Sequence, residues 1–128
     1  MGLANLVEQN ELCEIDYGLW ENLTQEEIQF MWPDEFKKWN EDGIWPEDIF
    51  IKKEVEVRTA LEKWLNMQKE QFEGQTLIAV SSNGILRQVK SIIEKENFTF
   101  KNSKVRTGAF CLIEFAPNPR IMNWDVRP

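Results

Sequence analysis

Residues 76 to 87 read Thr76-Leu77-Ile78-Ala79-Val80-Ser81-Ser82-Asn83-Gly84-Ile85-Leu86-Arg87, and this stretch decides the fold. The apolar or β-favouring run at its start is typical of a strand buried on both faces. The small polar residues and the glycine suit a tight turn, and Ser or Asn can cap the helix that follows. Backbone N–H groups at such a turn, together with the helix dipole, favour phosphate binding. The pattern also fits a strand-to-helix turn without a ligand, and the residues leave both interpretations open.

Composition limits the class of protein. The 128 residues are 42% hydrophobic and 29% charged, which favours one globular domain with a core. The net charge of -7 argues against a protein that binds a nucleic-acid backbone. No apolar run is long enough to span a membrane, and the first residues lack the pattern of a signal peptide. We therefore expect a cytoplasmic protein without membrane or nucleic-acid partners, in which Cys13 and Cys111 are free thiols.

The most informative count is that of histidine, which is zero. Histidine is the commonest general base and the commonest metal ligand. Without histidine or paired cysteines, a zinc or transition-metal site is disfavoured, and we expect no cofactor. An all-carboxylate Mg²⁺ or Ca²⁺ site stays open, although no loop has the spacing of ligands that it needs.

Local patterns predict several helices before the central stretch. Thr24 and Glu27 form a capping box for one helix, and Pro33 can open the next, which ends near Gly43. An apolar stripe predicts a long helix over about residues 51–72, containing Val57, Leu61, Trp64, Leu65 and Gln68.

The part of the chain that follows the turn predicts a helix and a hairpin. The helix covers about residues 83–94, and residues 97–104 form a polar connection. Strands at 108–115 and 120–124 flank a Pro-Asn-Pro turn. The buried side of the helix is predicted to contain Leu86, Val89, Ile92 and Ile93.

The six tryptophans have two interpretations that the sequence leaves open. They can pack short helices against a sheet, or they can form an aromatic surface for a ligand or partner.

Two segments in series resemble the histidine phosphatase superfamily, the phosphoglycerate mutase-like proteins. Leu12-Cys13-Glu14-Ile15-Asp16-Tyr17-Gly18-Leu19-Trp20-Glu21-Asn22-Leu23-Thr24 resembles the family segment Leu-x-Glu-x-x-(Phe/Tyr)-Gly-x-Trp-Glu-Gly-(Leu)-Thr. Val80-Ser81-Ser82-Asn83-Gly84-Ile85-Leu86-Arg87 resembles Val-Ser-His-Gly-Gly-x-(Ile/Leu)-Arg, and residues 105–109 and 124–128 resemble C-terminal segments of bacterial members. The resemblance implies a single α/β domain over residues 1–128. It also implies a small, mainly three-stranded sheet flanked by helices, as a truncated form of the family's three-layer fold.

The same resemblance implies a site for phosphoryl chemistry that has lost its main groups. Family enzymes form a phosphohistidine in an N-terminal Arg-His-Gly motif, and we expect the half of the fold that carries this motif to be absent. The family's second histidine corresponds to Ser82, a weaker and neutral donor. Without the nucleophile there is no covalent route, so we expect a catalytically inactive domain, a pseudoenzyme. Glu14 matches the family's proton donor and is interpreted as a relic, while the expected phosphate-binding residues are Ser81, Asn83, Gly84 and Arg87.

Three functions remain open from the sequence. The first is an inactive phosphatase-like domain that acts by self-association or by association with a partner. The second is one half of a split phosphatase or phosphomutase completed by another chain, against which Ser82 counts. The third is a sensor of a phosphorylated small molecule, with Arg58, Arg87 and Arg106 as candidate contacts.

The absent first strand would leave an apolar strand edge uncovered beside Ser81. We therefore expect a homo-oligomer, such as a dimer, or a complex with a complementary protein chain through that edge.

Overall fold

A computed structural model describes residues 6–97 and 99–128 of the chain. In order, the elements are α1 (Gln25–Met31), α2 (Pro33–Lys37), α3 (Glu54–Gln71), α4 (Asn83–Glu94), α5 (Phe100–Ser103), β1 (Phe110–Glu114) and β2 (Arg120–Val126). Single turns of 3₁₀ helix occur at Asn10–Leu12 and Gly18–Trp20, and Lys38–Asp42 extends α2 as a π-helical turn. The class is α/β, as the sequence predicts.

The local signals for α1 and α2 are confirmed. The Thr24 hydroxyl accepts a hydrogen bond from the Glu27 N–H at 3.2 Å, and the Glu27 carboxylate accepts one from the Thr24 N–H at 2.8 Å. Pro33 occupies the first turn of α2. Gly43 ends the π-helical turn in the left-handed conformation, with φ of 67°. These short-range patterns therefore determine the helix boundaries correctly.

The two longer helices form where they are predicted, but the buried side of α4 is different. In α3, which begins at Glu54 rather than near residue 51, Leu61, Trp64 and Leu65 are buried. In α4, Ile85 and Val89 are buried, whereas Leu86 is only partly covered. Ile92 and Ile93 pack against the core from partly buried positions. The reason for the difference is that polar side chains of α4 are also buried, and these are Arg87, Gln88 and Ser91.

The prediction of a mainly three-stranded sheet is wrong. The described chain has a two-stranded antiparallel sheet, in which Ile113 pairs with Ile121 and Glu114 with Arg120. The predicted strand at 76–80 lies outside any regular element and is exposed along its whole length. Its apolar run predicts burial on both faces, but no strand of the described chain lies beside it to receive its backbone hydrogen bonds. A three-layer arrangement around that strand is therefore not formed by the described residues.

The core is an aromatic cluster centred on Phe50. Phe50 makes edge-to-face contacts at centroid distances of 5.0 to 5.3 Å with Tyr17, Trp20, Trp39 and Trp45. These three tryptophans are buried, as is Trp64, which favours the packing interpretation of the tryptophans. Within the described ranges, no helix has the length and apolar character needed to cross a bilayer.

Candidate functional site

The segment that precedes α1 is held against the loop that precedes α3. The Leu19 N–H donates to the Ile49 carbonyl at 3.2 Å, and the Ile51 N–H donates to the Asp16 carbonyl at 3.3 Å. Gly18 has a φ of 55°, and a Cβ there would collide with the Ile49 carbonyl oxygen. Only glycine combines this conformation with this close approach. These contacts fix the path of the segment across the core, and this path determines where Glu14 and Tyr17 lie.

Glu14 and Tyr17 lie directly on the first turn of α4. A Cβ added at Gly84 would be 2.7 Å from Glu14 Oε1, 2.8 Å from Ile15 Cδ1 and 3.0 Å from Tyr17 Oη. These distances are too short for any residue with a side chain unless a neighbour moves. The absence of a Cβ at Gly84 thus brings together two segments that are far apart in the sequence. The structure places the predicted proton donor beside the predicted phosphate-binding turn.

The electrostatics of this cluster involve Tyr17, Glu14 and Arg87. Burial, the charge of Glu14 and a hydrogen bond to Glu14 raise the pKa of Tyr17 to about 12, and the charge of Arg87 partly opposes this. Burial lowers the pKa of Arg87, while the charges of Tyr17 and Glu14 raise it. The buried Arg87 guanidinium lies 4.7 Å from the centre of the Trp39 ring. The cluster therefore combines the acidic side chain of Glu14, a phenol that keeps its proton at neutral pH and the guanidinium of Arg87.

The other predicted phosphate-binding residues gather at the same place, but two of them have internal partners. The Ser81 hydroxyl donates to the Leu12 carbonyl at 2.7 Å. The Asn83 side-chain oxygen accepts from the Val105 N–H at 3.0 Å. Ser82 occupies the N-cap position of α4, as expected for Ser or Asn, but its side chain does not cap the helix. The Ser82 Oγ is buried and has no hydrogen-bond partner among the described residues.

Two of the three candidate arginines lie in other networks. Arg58 Nη1 donates to Gln88 Oε1 at 3.2 Å and to the Ser91 hydroxyl at 2.8 Å, so it links α3 to α4. The Arg106 backbone N–H and side-chain Nε each donate to the Asp125 carboxylate at 2.7 Å. Of these three arginines, Arg87 is close enough to Tyr17 and Glu14 for their charges to affect its pKa.

Sequence reasoning missed the polar contact between α3 and α4. Gln88 and Ser91 face Arg58, and Glu54 is hydrogen-bonded to Gln88. Burial is the main cause that raises the pKa of Glu54, and the charge of Arg58 opposes it. Gln88 and Ser91 are three residues apart on one helix, and this spacing was the available signal for a polar side. Tyr17 is also absent from the predicted site residues, although it lies against the first turn of α4.

The chemistry open to this cluster is limited by its charges and by its composition. Glu14 accepts a hydrogen bond from its own segment, from the Ile15 N–H at 2.8 Å. Its carboxylate lies where the positive end of α4 favours an anion. The chain contains no histidine that could form a phosphohistidine or stabilise a transferring phosphoryl group. The cluster therefore presents a fixed carboxylate and phenol at the helix start.

The chain matches a protein-family model over a region that includes both segments of this cluster. The model of the histidine phosphatase superfamily (branch 1) matches residues 2–125. A comparison with curated proteins found no match. Because the matched region covers nearly the whole chain and contains both segments of the cluster, the chain belongs to the histidine phosphatase superfamily.

Proposed function

We propose that this chain is a histidine phosphatase superfamily domain without phosphohistidine chemistry of its own. It acts by associating with another protein chain through residues 76–80, which we name the apolar segment. The observation that supports this most is the exposure of its aliphatic side chains. Leu77, Ile78 and Val80 are 45%, 82% and 85% exposed.

Such exposure is unfavourable for a chain that stays alone. Each large aliphatic side chain that leaves water contributes roughly 1.5–3 kcal/mol, so covering this segment is a substantial driving force for association. Within the described residues, no backbone hydrogen bond involves residues 76–80. The segment therefore offers both apolar surface and unused backbone donors and acceptors, which are the two things a partner strand needs.

The lack of catalysis is supported by the groups at the start of α4. Ser82 occupies the position where the resemblance implies a histidine, and no histidine occurs elsewhere in the chain. A serine nucleophile would need an adjacent base, and the Ser82 hydroxyl has no hydrogen-bond partner among the described residues. We therefore propose that Glu14 and Tyr17 have a structural role at the helix start.

The test is light scattering of the purified chain at micromolar concentration. We expect an oligomer for the natural sequence and a monomer for Ile78→Lys, since a charge would have to be buried in the contact. Met67→Lys is the matched control, because Met67 is 52% exposed on α3, outside the apolar segment. This control should stay oligomeric. A monodisperse monomer of the natural sequence would refute the proposed association.

A phosphatase assay on the same samples tests the other half of the proposal. We expect no hydrolysis of p-nitrophenyl phosphate above the level of a Ser82→Ala variant. If adding a chain that carries Arg-His-Gly produces hydrolysis that neither chain shows alone, the split enzyme is the correct alternative and this half of our proposal is wrong.

A second candidate is binding of a phosphorylated small molecule at the start of α4. It is favoured by the buried hydroxyl of Ser82, which lacks a hydrogen-bond partner among the described residues and lies at the helix N-cap. The nearby Glu14 carboxylate opposes it, because a phosphate would approach a like charge.

A further inference from the structure

We infer that the occupant of the apolar segment is a second copy of the same segment, paired antiparallel across a two-fold axis at Ile78. This inference rests on the proposed association and adds the identity and the register of the partner. In this arrangement Thr76 pairs with Val80, Leu77 with Ala79, and Ile78 with its own equivalent.

The first support is the charge of the segment compared with that of the whole chain. The chain has a net charge of -7, yet no charged residue occurs from Gln75 to Ile85. Two copies that approach through this surface therefore meet no like charge at the contact, although they repel at longer range. A basic partner would be attracted by the whole chain but would find no carboxylate within the segment.

The second support is the fit of the side chains in this register. When the segment pairs as a strand, Ile78 and Val80 lie on one face, since side chains alternate along a strand. Antiparallel pairing about Ile78 places β-branched side chains opposite each other at Thr76–Val80 and Ile78–Ile78. The other face pairs the large Leu77 with the small Ala79. In this register the segment is therefore self-complementary in shape on both faces.

The third support is that the two-fold pairing uses the same surface on both chains and closes on itself. Such an isologous contact yields a dimer rather than an open fibre. It also pairs the backbone groups along one edge of the segment in both copies at once.

Disulfide trapping can test the register. In a background with Cys13→Ser and Cys111→Ser, Ile78→Cys should cross-link to a dimer under mild oxidation, because the two sulfurs lie directly opposite each other. Val80→Cys is the matched control, since Val80 is exposed to 85% and Ile78 to 82%. In the proposed register two copies of Val80 lie about 14 Å apart along the strands, too far for a disulfide. An equimolar mixture of Thr76→Cys and Val80→Cys should cross-link, whereas neither variant alone should.

The outcomes separate this inference from the proposed function. If the cysteine-free protein is a dimer by light scattering but Ile78→Cys does not cross-link, the register is wrong while the association stands. If Val80→Cys cross-links as fast as Ile78→Cys, the two-fold register is also wrong. If the cysteine-free protein is a monomer, both proposals fail.

Salt gives an independent readout of the partner. Self-association of two chains with a charge of -7 each should strengthen between low and physiological ionic strength, because screening reduces their repulsion. Dissociation of the dimer on adding salt would mean that opposite charges hold the two copies together, which would contradict a contact through the uncharged apolar segment.

Discussion

Titration of Tyr17 provides a direct test of the cluster at the start of α4. The chain contains a single tyrosine, so tyrosinate absorbance reports on Tyr17 alone. Burial and Glu14 raise the pKa of Tyr17 from 10.0 to about 12. We expect a titration midpoint near pH 12 in the folded protein and near pH 10 in guanidinium, where the contacts are lost.

The sign of the effect on stability follows from this shift. The folded protein holds the phenol proton more tightly than the unfolded chain, so the contribution to stability is fully present below pH 10. It is lost as the pH rises from about 10 to about 12. A shift of about 2 pKa units corresponds to an upper limit of about 2.7 kcal/mol, which solvent screening at the half-buried phenol reduces.

Glu14→Gln is the perturbation that tests the cause of the shift. The variant removes the charge beside the phenol, so the pKa of Tyr17 should fall. It should stay above 10, because burial is the largest cause of the shift. Glu11→Gln is the control, and it should leave the midpoint unchanged. Near-ultraviolet circular dichroism of the tryptophans, recorded on the same samples, shows whether each sample is folded.

Two results would refute this reasoning. A midpoint near pH 10 in the folded natural sequence would show that Tyr17 is not buried beside a carboxylate. A Glu14→Gln midpoint equal to that of the natural sequence would show that Glu14 does not lie against the phenol.

Three further predictions concern the surroundings of this cluster. Gly84→Ala should destabilise the fold by about 1–2 kcal/mol, since a Cβ would meet Ile15 Cδ1 at 2.8 Å, and the cost should be smaller in an Ile15→Val background. Thermal denaturation measures this as a fall in Tm of about 4–8 °C, and an unchanged Tm would contradict the close approach. Ser91→Ala should lower the free energy of unfolding, measured by urea denaturation, by about 1–2 kcal/mol, because Arg58 loses a hydrogen-bond acceptor at 2.8 Å. An unchanged free energy of unfolding would show that this hydrogen bond does not stabilise the fold. Millimolar phosphate should raise the Tm of Glu14→Gln more than that of the natural sequence, because a like charge is removed, and a large rise in the natural sequence would favour the sensor.

The sequence by itself determined the elements whose signals are local. The capping box of Thr24 and Glu27, the proline at the start of α2 and the apolar stripe of α3 each act within a few residues, so their helices form where predicted. The hairpin of β1 and β2 also follows from adjacent segments and the turn that joins them. The two family-like segments could likewise be recognised without coordinates, and the match over residues 2–125 confirms the family.

Only the tertiary structure decided which surfaces are covered. The apolar segment reads as a buried strand, but burial and strand pairing depend on a neighbour, and no described strand lies beside it. Glu14 and Tyr17 pack against Gly84 because Gly84 has no Cβ. This contact joins segments that are distant in the sequence, so no local pattern encodes it. The burial of Arg87, Gln88 and Ser91 depends in the same way on Trp39 and Arg58, which pack against α4 from other elements. Local periodicity specifies the elements of this protein, whereas the contacts between distant segments specify its candidate site and its exposed surface.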